Sequence, residues 1–229
     1  MGVMLFFSGV LPAAVASMRI PLLAIVFSAA LLPQLRYVVL GDSTAAGVGG
    51  NYESGIAAST ARELGREREV TMTNLSVSGA RMRDVRRLQL GAAEQLRPDL
   101  VLLSAGANDV THLTFIRSMR KDLREVVQRL RAANPDVKIV ITGSPDMGAP
   151  PRIPRLLRGI ASCRTKQVNR MFEDEAARLG LGFAPIAAVT GPLFRADPSL
   201  FAGDRFHPND RGYATWLPPL NQALASAVR

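Results

Sequence analysis

The sequence predicts an α/β fold built on a mostly parallel sheet, and three observations carry that expectation. From Tyr37 onward, short β-branched runs alternate with longer amphipathic ones. The strand-like runs hold few polar positions, as strands do when helices cover both faces of their sheet. Polar residues gather where those runs end, at the edge where open parallel sheets bind ligands.

The first stretch of the chain stands apart. Met1 to Leu35 carries a single charge, Arg19, between two apolar runs. The second run follows Met18 and Arg19 in the charge-then-apolar order of an export signal. It is shorter than the ~20 residues that span a bilayer comfortably. Residues 1–35 therefore read as an apolar leader, an export signal or a membrane anchor, with Met18 as an alternative start. This implies an exported protein or one anchored in the cell envelope. Residues 36–229 are of a length that suits one α/β domain.

Strands are expected at Tyr37–Leu40, Val70–Leu75, Leu100–Ser104, Lys138–Thr142 and Gly182–Pro185. Helical patterns fall at Ser54–Arg66, Met82–Gln95, Phe115–Ala133 and Leu156–Leu179. A last helix fits Gly212–Val228, with Pro218 and Pro219 marking a break or a late start. The polar loops after the first four strands read "GDST" from Gly41, "NLSVSGA" from Asn74, "SAGANDV" from Ser104 and "TGSPDMG" from Thr142.

Composition narrows the function. With 48% hydrophobic and 21% charged residues, the 229-residue chain is neither disordered nor fully membrane-embedded. Its net charge of +9 favours anionic surroundings such as lipid headgroups or envelope polymers. The basic residues lie mostly in helix-like stretches such as Arg117–Arg131, the pattern of a solvated face. No nucleic-acid-binding signature accompanies them, so no nucleic acid partner is expected. Cys163 is the only cysteine, which excludes an internal disulfide; it reads as a small buried residue. No H-E-x-x-H or cysteine pair offers metal ligands. The glycines after the first strand fail the dinucleotide pattern, because Tyr52 holds the final position of the frame starting at Gly47. Gly47, Gly49 and Gly50 are expected to keep the loop beside Ser43 small and mobile. No serine has glycine at both ±2, which excludes the α/β-hydrolase elbow.

Ser43 is the candidate nucleophile, and a serine hydroxyl needs a neighbouring base. The chain has two histidines, His112 and His207. Asp204 lies three residues before His207, a spacing that lets a carboxylate hold one imidazole nitrogen in a tight turn; Asp210, three residues after, offers the same. Acyl transfer also needs donors for an oxyanion. Asn108 offers a side-chain amide at a strand end, and Gly79 a backbone N–H with no side chain in the way.

The ordered set is Gly41-Asp42-Ser43-Thr44, Asn74 through Gly79, Gly106-Ala107-Asn108-Asp109 and Asp204-Arg205-Phe206-His207. It resembles the GDSL, or SGNH, hydrolase family from Tyr37 to Val228, with Thr44 in place of the leucine of the family's name motif. The resemblance implies a flavodoxin-like three-layer α/β/α fold with a five-stranded sheet, and a serine esterase or lipase without metal or cofactor. By the same resemblance, Ser43 is the nucleophile, His207 the base and Asp204 its orienting acid. Gly79, the Ser43 backbone and Asn108 form the oxyanion site, and His112 is a loop histidine.

The expected substrate is a small-molecule or lipid-like ester. The apolar stretch from Pro150 to Leu157 is a candidate acyl groove, and Phe206 and Trp216 are either sugar-stacking or core residues. Acetylated envelope sugars, transfer to an acceptor other than water, and a non-catalytic lipid- or glycan-binding module on the same fold are the alternatives.

Overall fold

The computed structural model describes residues 34–229. The expected leader lies outside them except for Gln34 and Leu35. Both belong to β1 (Gln34–Gly41), which starts three residues before Tyr37. Its entry alternates, with Gln34 and Arg36 exposed and Leu35 and Tyr37 buried, and from Tyr37 on every residue is buried.

β1 is joined by β2 (Glu69–Asn74), β3 (Leu100–Ser104), β4 (Lys138–Ile141) and β5 (Gly182–Phe183). All pairs are parallel, in the order β2-β1-β3-β4-β5. This is the flavodoxin-like order, which puts β1 and β3 side by side at the switch point where ligands bind.

The two-residue period of a strand sends alternate side chains into two cores. Val38, Leu40, Val101, Leu103, Ile139 and Ile141 fill one, while Tyr37, Val39, Leu100, Leu102 and Val140 fill the other. The first core is closed by α2 (Met82–Asp84), α3 (Leu90–Leu96), α4 (Ala107–Thr111), α5 (Ile116–Ala133) and α6 (Arg155–Leu179). The second is closed by α1 (Ile56–Leu64), α7 (Ile186–Ala196), α8 (Asp210–Ala214) and α9 (Leu217–Ala227). In α5 the buried residues Met119, Leu123, Val126, Val127 and Leu130 recur at helical spacing, so one stripe meets the sheet. Among the described residues no helix is long and apolar enough to cross a membrane.

The structure differs from expectation at the segment from Met82, at α4 and at α7, and it bears out the break expected at Pro218 and Pro219. The segment from Met82 is not one α-helix: a π-turn, Val85–Gln89, separates α2 from α3. The final helix is two, α8 and α9, and Pro218 and Pro219 sit in the first turn of α9, where a missing N–H costs nothing. α7 was not expected, since Gly191 and Pro192 interrupt its sequence; its buried face, Ile186, Thr190, Gly191 and Phe194, holds it in place.

Candidate active site

β1 ends at Gly41, whose φ is 147°. A Cβ at this position would stand 1.9 Å from the Ser104 carbonyl oxygen, so only glycine lets β1 leave the sheet so close to β3. The π-turn delivers the buried Gln89 side chain to the same place. Its Oε1 accepts from the Gly41 N–H at 2.9 Å and its Nε2–H donates to the Gly41 carbonyl at 2.8 Å. Asp42 then folds over the turn, its Oδ1 accepting from the Thr44 N–H at 2.9 Å and the Thr44 hydroxyl at 2.7 Å.

Ser43 stands on this turn, and its hydroxyl donates to Nε2 of His207 at 2.9 Å. Nδ1–H of His207 donates to Oδ2 of Asp204 at 2.5 Å. An ionised carboxylate has no proton to donate, so the ring proton sits on Nδ1 and Nε2 offers its lone pair to Ser43. A bridge between Phe201 and Pro208 closes the loop that carries both residues. Arg205, at φ 60°, takes the left-handed conformation at its tip. The Asp204 Oδ1 accepts from the N–H groups of Phe206 at 2.9 Å and His207 at 3.0 Å. Burial works against the Asp204 charge, but the His207 side chain and these two N–H groups outweigh it and hold its carboxyl below the ordinary range.

Asp42 is the opposite case. Burial pushes its carboxyl up to about 6, against the Thr44 hydrogen bonds and the attraction of His207.

Asp210 does not orient His207. Its two oxygens accept from the Asn51 N–H and Nδ2–H, both at 2.7 Å, and clamp the loop after β1 to α8. Along that loop Gly49 has φ 98°, and a Cβ there would stand 2.5 Å from the Pro208 carbonyl and 2.8 Å from the His207 Cβ. The glycine thus serves close approach to the histidine turn.

Asn108 opens α4 and its Nδ2–H donates to the Ala80 carbonyl at 3.1 Å. It lines one cavity with Ser43 and His207. Gly79 is exposed at φ 82°, outside the lining of that cavity, with no atom within 4 Å of where a Cβ would stand. Neither the Ser43 nor the Gly79 N–H has an acceptor among the described residues. His112 is exposed, and its Nδ1–H donates to the Asn108 carbonyl at 2.8 Å, away from the cavity.

The cavity beside Ser43 measures about 30 Å³ and has mostly apolar walls, among them Met147, Phe194, Phe201 and Trp216. Trp216 is a core residue that also forms the wall, and Phe206 packs edge-on against His207 beneath the Arg152 guanidinium. Of the expected apolar groove only Pro150 lines the cavity; Leu156 and Leu157 face outward. Cys163 is likewise exposed, because α6 turns Thr165 and Val168 inward instead.

Sequence reasoning missed Gln89, and it missed Asp146. The buried Asp146 accepts from Ser162 Oγ at 2.9 Å and the Gly148 N–H at 3.2 Å, and it pairs with the Arg195 guanidinium. It thereby ties α6 to α7 in the wall of the cavity. Its visible signal was only an acid in a strand-end loop.

Residues 39–215 match the model of the GDSL-like lipase/acylhydrolase family. A GDSL-like esterase of Mycobacterium tuberculosis is 30% identical over 201 residues, covering 83% of this chain, and the chain spans 62% of that esterase's length. The structure of a phospholipase A1 from Streptomyces albidoflavus superposes with a TM-score of 0.66 at 23% identity, over 82% of this chain and 99% of that one. An acetylxylan esterase from Geobacillus stearothermophilus superposes with a TM-score of 0.65 at 18% identity, over 85% and 94%. These two likenesses are of fold. The family match runs through the sheet and the loops at its carboxyl edge, and the chain belongs to the GDSL-like lipase/acylhydrolase family, a family of carboxylic ester hydrolases.

Proposed function

We propose that this chain hydrolyses carboxylic esters with Ser43 as nucleophile, His207 as general base and Asp204 as the acid that orients it. The observation that carries this reading is the unbroken relay of hydrogen bonds from Asp204 through His207 to Ser43. His207 Nε2 takes the hydroxyl proton as Ser43 Oγ attacks the ester carbonyl, and Asp204 stabilises the imidazolium. The N–H groups of Ser43 and Gly79, together with the free N–H of the Asn108 amide, receive the oxyanion. Collapse of the tetrahedral intermediate breaks the bond to the alcohol, which takes its proton from Nε2. Water then enters by the same route, and the acyl group leaves as the acid.

The cavity bears on the acyl half of the substrate. About 30 Å³ is far less than the ~150 Å³ of a cavity that holds one benzene. This favours an acetyl or similarly short acyl group over a long lipid chain, which would need Phe194 or Phe201 to swing aside. An O-acetyl ester is therefore the favoured substrate class, with lipid-like acyl esters second.

Initial rates on p-nitrophenyl esters from acetate to decanoate test both statements. The expected result is a rate that falls with chain length and is lost in Ser43→Ala. Undiminished hydrolysis by Ser43→Ala would overturn the nucleophile, and an optimum at decanoate would overturn the short acyl site.

A further inference from the structure

Two segments combine exposed apolar side chains with basic ones and contain no acid, and the second lines the cavity at Met147, Ala149 and Pro150. One is His112–Lys121 and the other Met147–Phe172. In the first, Leu113 is 67% and Phe115 82% exposed; in the second, Leu156 is 93% and Ile160 62% exposed. In the first two turns of α6, residues 155–162, no residue is fully buried, and Leu156, Leu157 and Ile160 are exposed. Arg164, one turn beyond Ile160, donates to the Thr114 carbonyl, so the Leu113–Phe115 turn lies against α6 and the apolar side chains form one patch. Leu113 is held out at φ 50°, a conformation that bulky residues rarely adopt.

Arg117 and Lys121 flank this patch on α5, and Arg152 and Arg155 flank it at the start of α6. None of the four joins an ion pair among the described residues. The Arg152 N–H donates to the Arg205 carbonyl at 3.0 Å, so the loop leading into α6 abuts the Asp204–His207 turn.

We propose that this edge of the molecule docks on an anionic lipid bilayer. Leu113, Phe115, Leu156 and Ile160 enter the boundary between headgroups and acyl chains, the four cations meet lipid phosphates, and the mouth of the cavity faces the membrane surface. Charge selects this occupant. A second copy would set the same net-basic patch against itself across a two-fold axis, where like charges repel. A bilayer with acidic headgroups supplies both the apolar layer and the negative surface, with each basic residue adding about fivefold to the binding constant. The proposal is independent of the catalytic assignment.

The single cysteine supplies the probe. Cys163 is exposed on α6, three residues beyond Ile160, and takes an environment-sensitive fluorophore. The full chain carrying Ser43→Ala, so that no lipid is cleaved, is titrated with phosphatidylcholine vesicles with and without phosphatidylglycerol. The label is expected to brighten and shift to the blue with the acidic vesicles, and less so at high salt. Leu156→Glu with Ile160→Glu should weaken this response about tenfold or more, and Arg155→Glu should weaken it about fivefold or more. The same substitutions beside an intact Ser43 should still cleave p-nitrophenyl acetate, which shows that they fold. A silent label on a chain that nonetheless sediments with vesicles would overturn the proposal by placing the contact elsewhere. An equal response without phosphatidylglycerol, or one that follows protein concentration without vesicles, would overturn it too.

Discussion

Asp42→Asn should raise stability at neutral pH and leave it unchanged in acid. Asp42 is buried, and its carboxyl is pushed up from 3.8 to about 6. The native state therefore holds the Asp42 proton more tightly than the unfolded chain does. This raised acid favours folding fully below pH 3.8, and the favour is lost as pH rises through 3.8 to 6. A rise of that size corresponds to about 3 kcal/mol, and above the raised value it stands as the cost of burying the ionised group. Asparagine resembles the protonated acid: its Oδ1 accepts the same two bonds from Thr44, and it carries no charge. Urea unfolding at 25 °C should find the variant more stable by about 3 kcal/mol at pH 8 and by only about 0.6 kcal/mol at pH 4, where the unfolded carboxyl is just past its midpoint. The hydrogen-bonded acids with lowered values, such as Asp204 and Asp99, affect both proteins alike and cancel in the difference. Activity should move the other way, because the Asp42 charge attracts the imidazolium that forms on His207. A variant with the same stability difference at both pH values, or less stable at pH 8, would refute the burial argument.

Other substitutions separate the supports of the site. Gln89→Ala leaves the Gly41 N–H unpaired in the interior and should cost about 2–3 kcal/mol, read by the same unfolding assay, with kcat lowered as the turn loosens. Gly49→Ala places a Cβ against Pro208 and the His207 Cβ, so kcat on p-nitrophenyl acetate should fall on the order of 10², while the fold, followed by circular dichroism, is kept. Asn108→Ala should lower kcat by about 10²–10³ with little change in KM, and an unchanged kcat would remove it from the oxyanion site.

The layers of the fold were legible because the strands announce themselves: β3 reads as four apolar residues closed by Ser104, and it is buried along its whole length. β1 starts earlier than Tyr37 because Gln34 and Arg36 face solvent and break the apolar run that marks the rest of the strand. α7 was illegible since Gly191 and Pro192 argue locally against a helix, and what holds it is packing against Asp146 and the core. Within the site, Ser43, Asp204 and His207 were visible as types at a spacing, and the turn between Asp204 and His207 needs only local bonds. The choice between Asp204 and Asp210 was not visible, because Asp210 is claimed by Asn51, far away in sequence. Gln89 was hidden for a related reason. Its reach to Gly41 depends on one extra residue in a π-turn, a register that periodicity alone does not reveal.

The central claim is that Ser43 is a nucleophile activated by His207. A fluorophosphonate, which phosphonylates activated serines and spares ordinary ones, tests it directly when the modified peptide is identified by mass spectrometry. The account predicts a single adduct on Ser43, formed far more slowly in His207→Ala. Modification of another serine, or labelling of Ser43 at the same rate without His207, would contradict it.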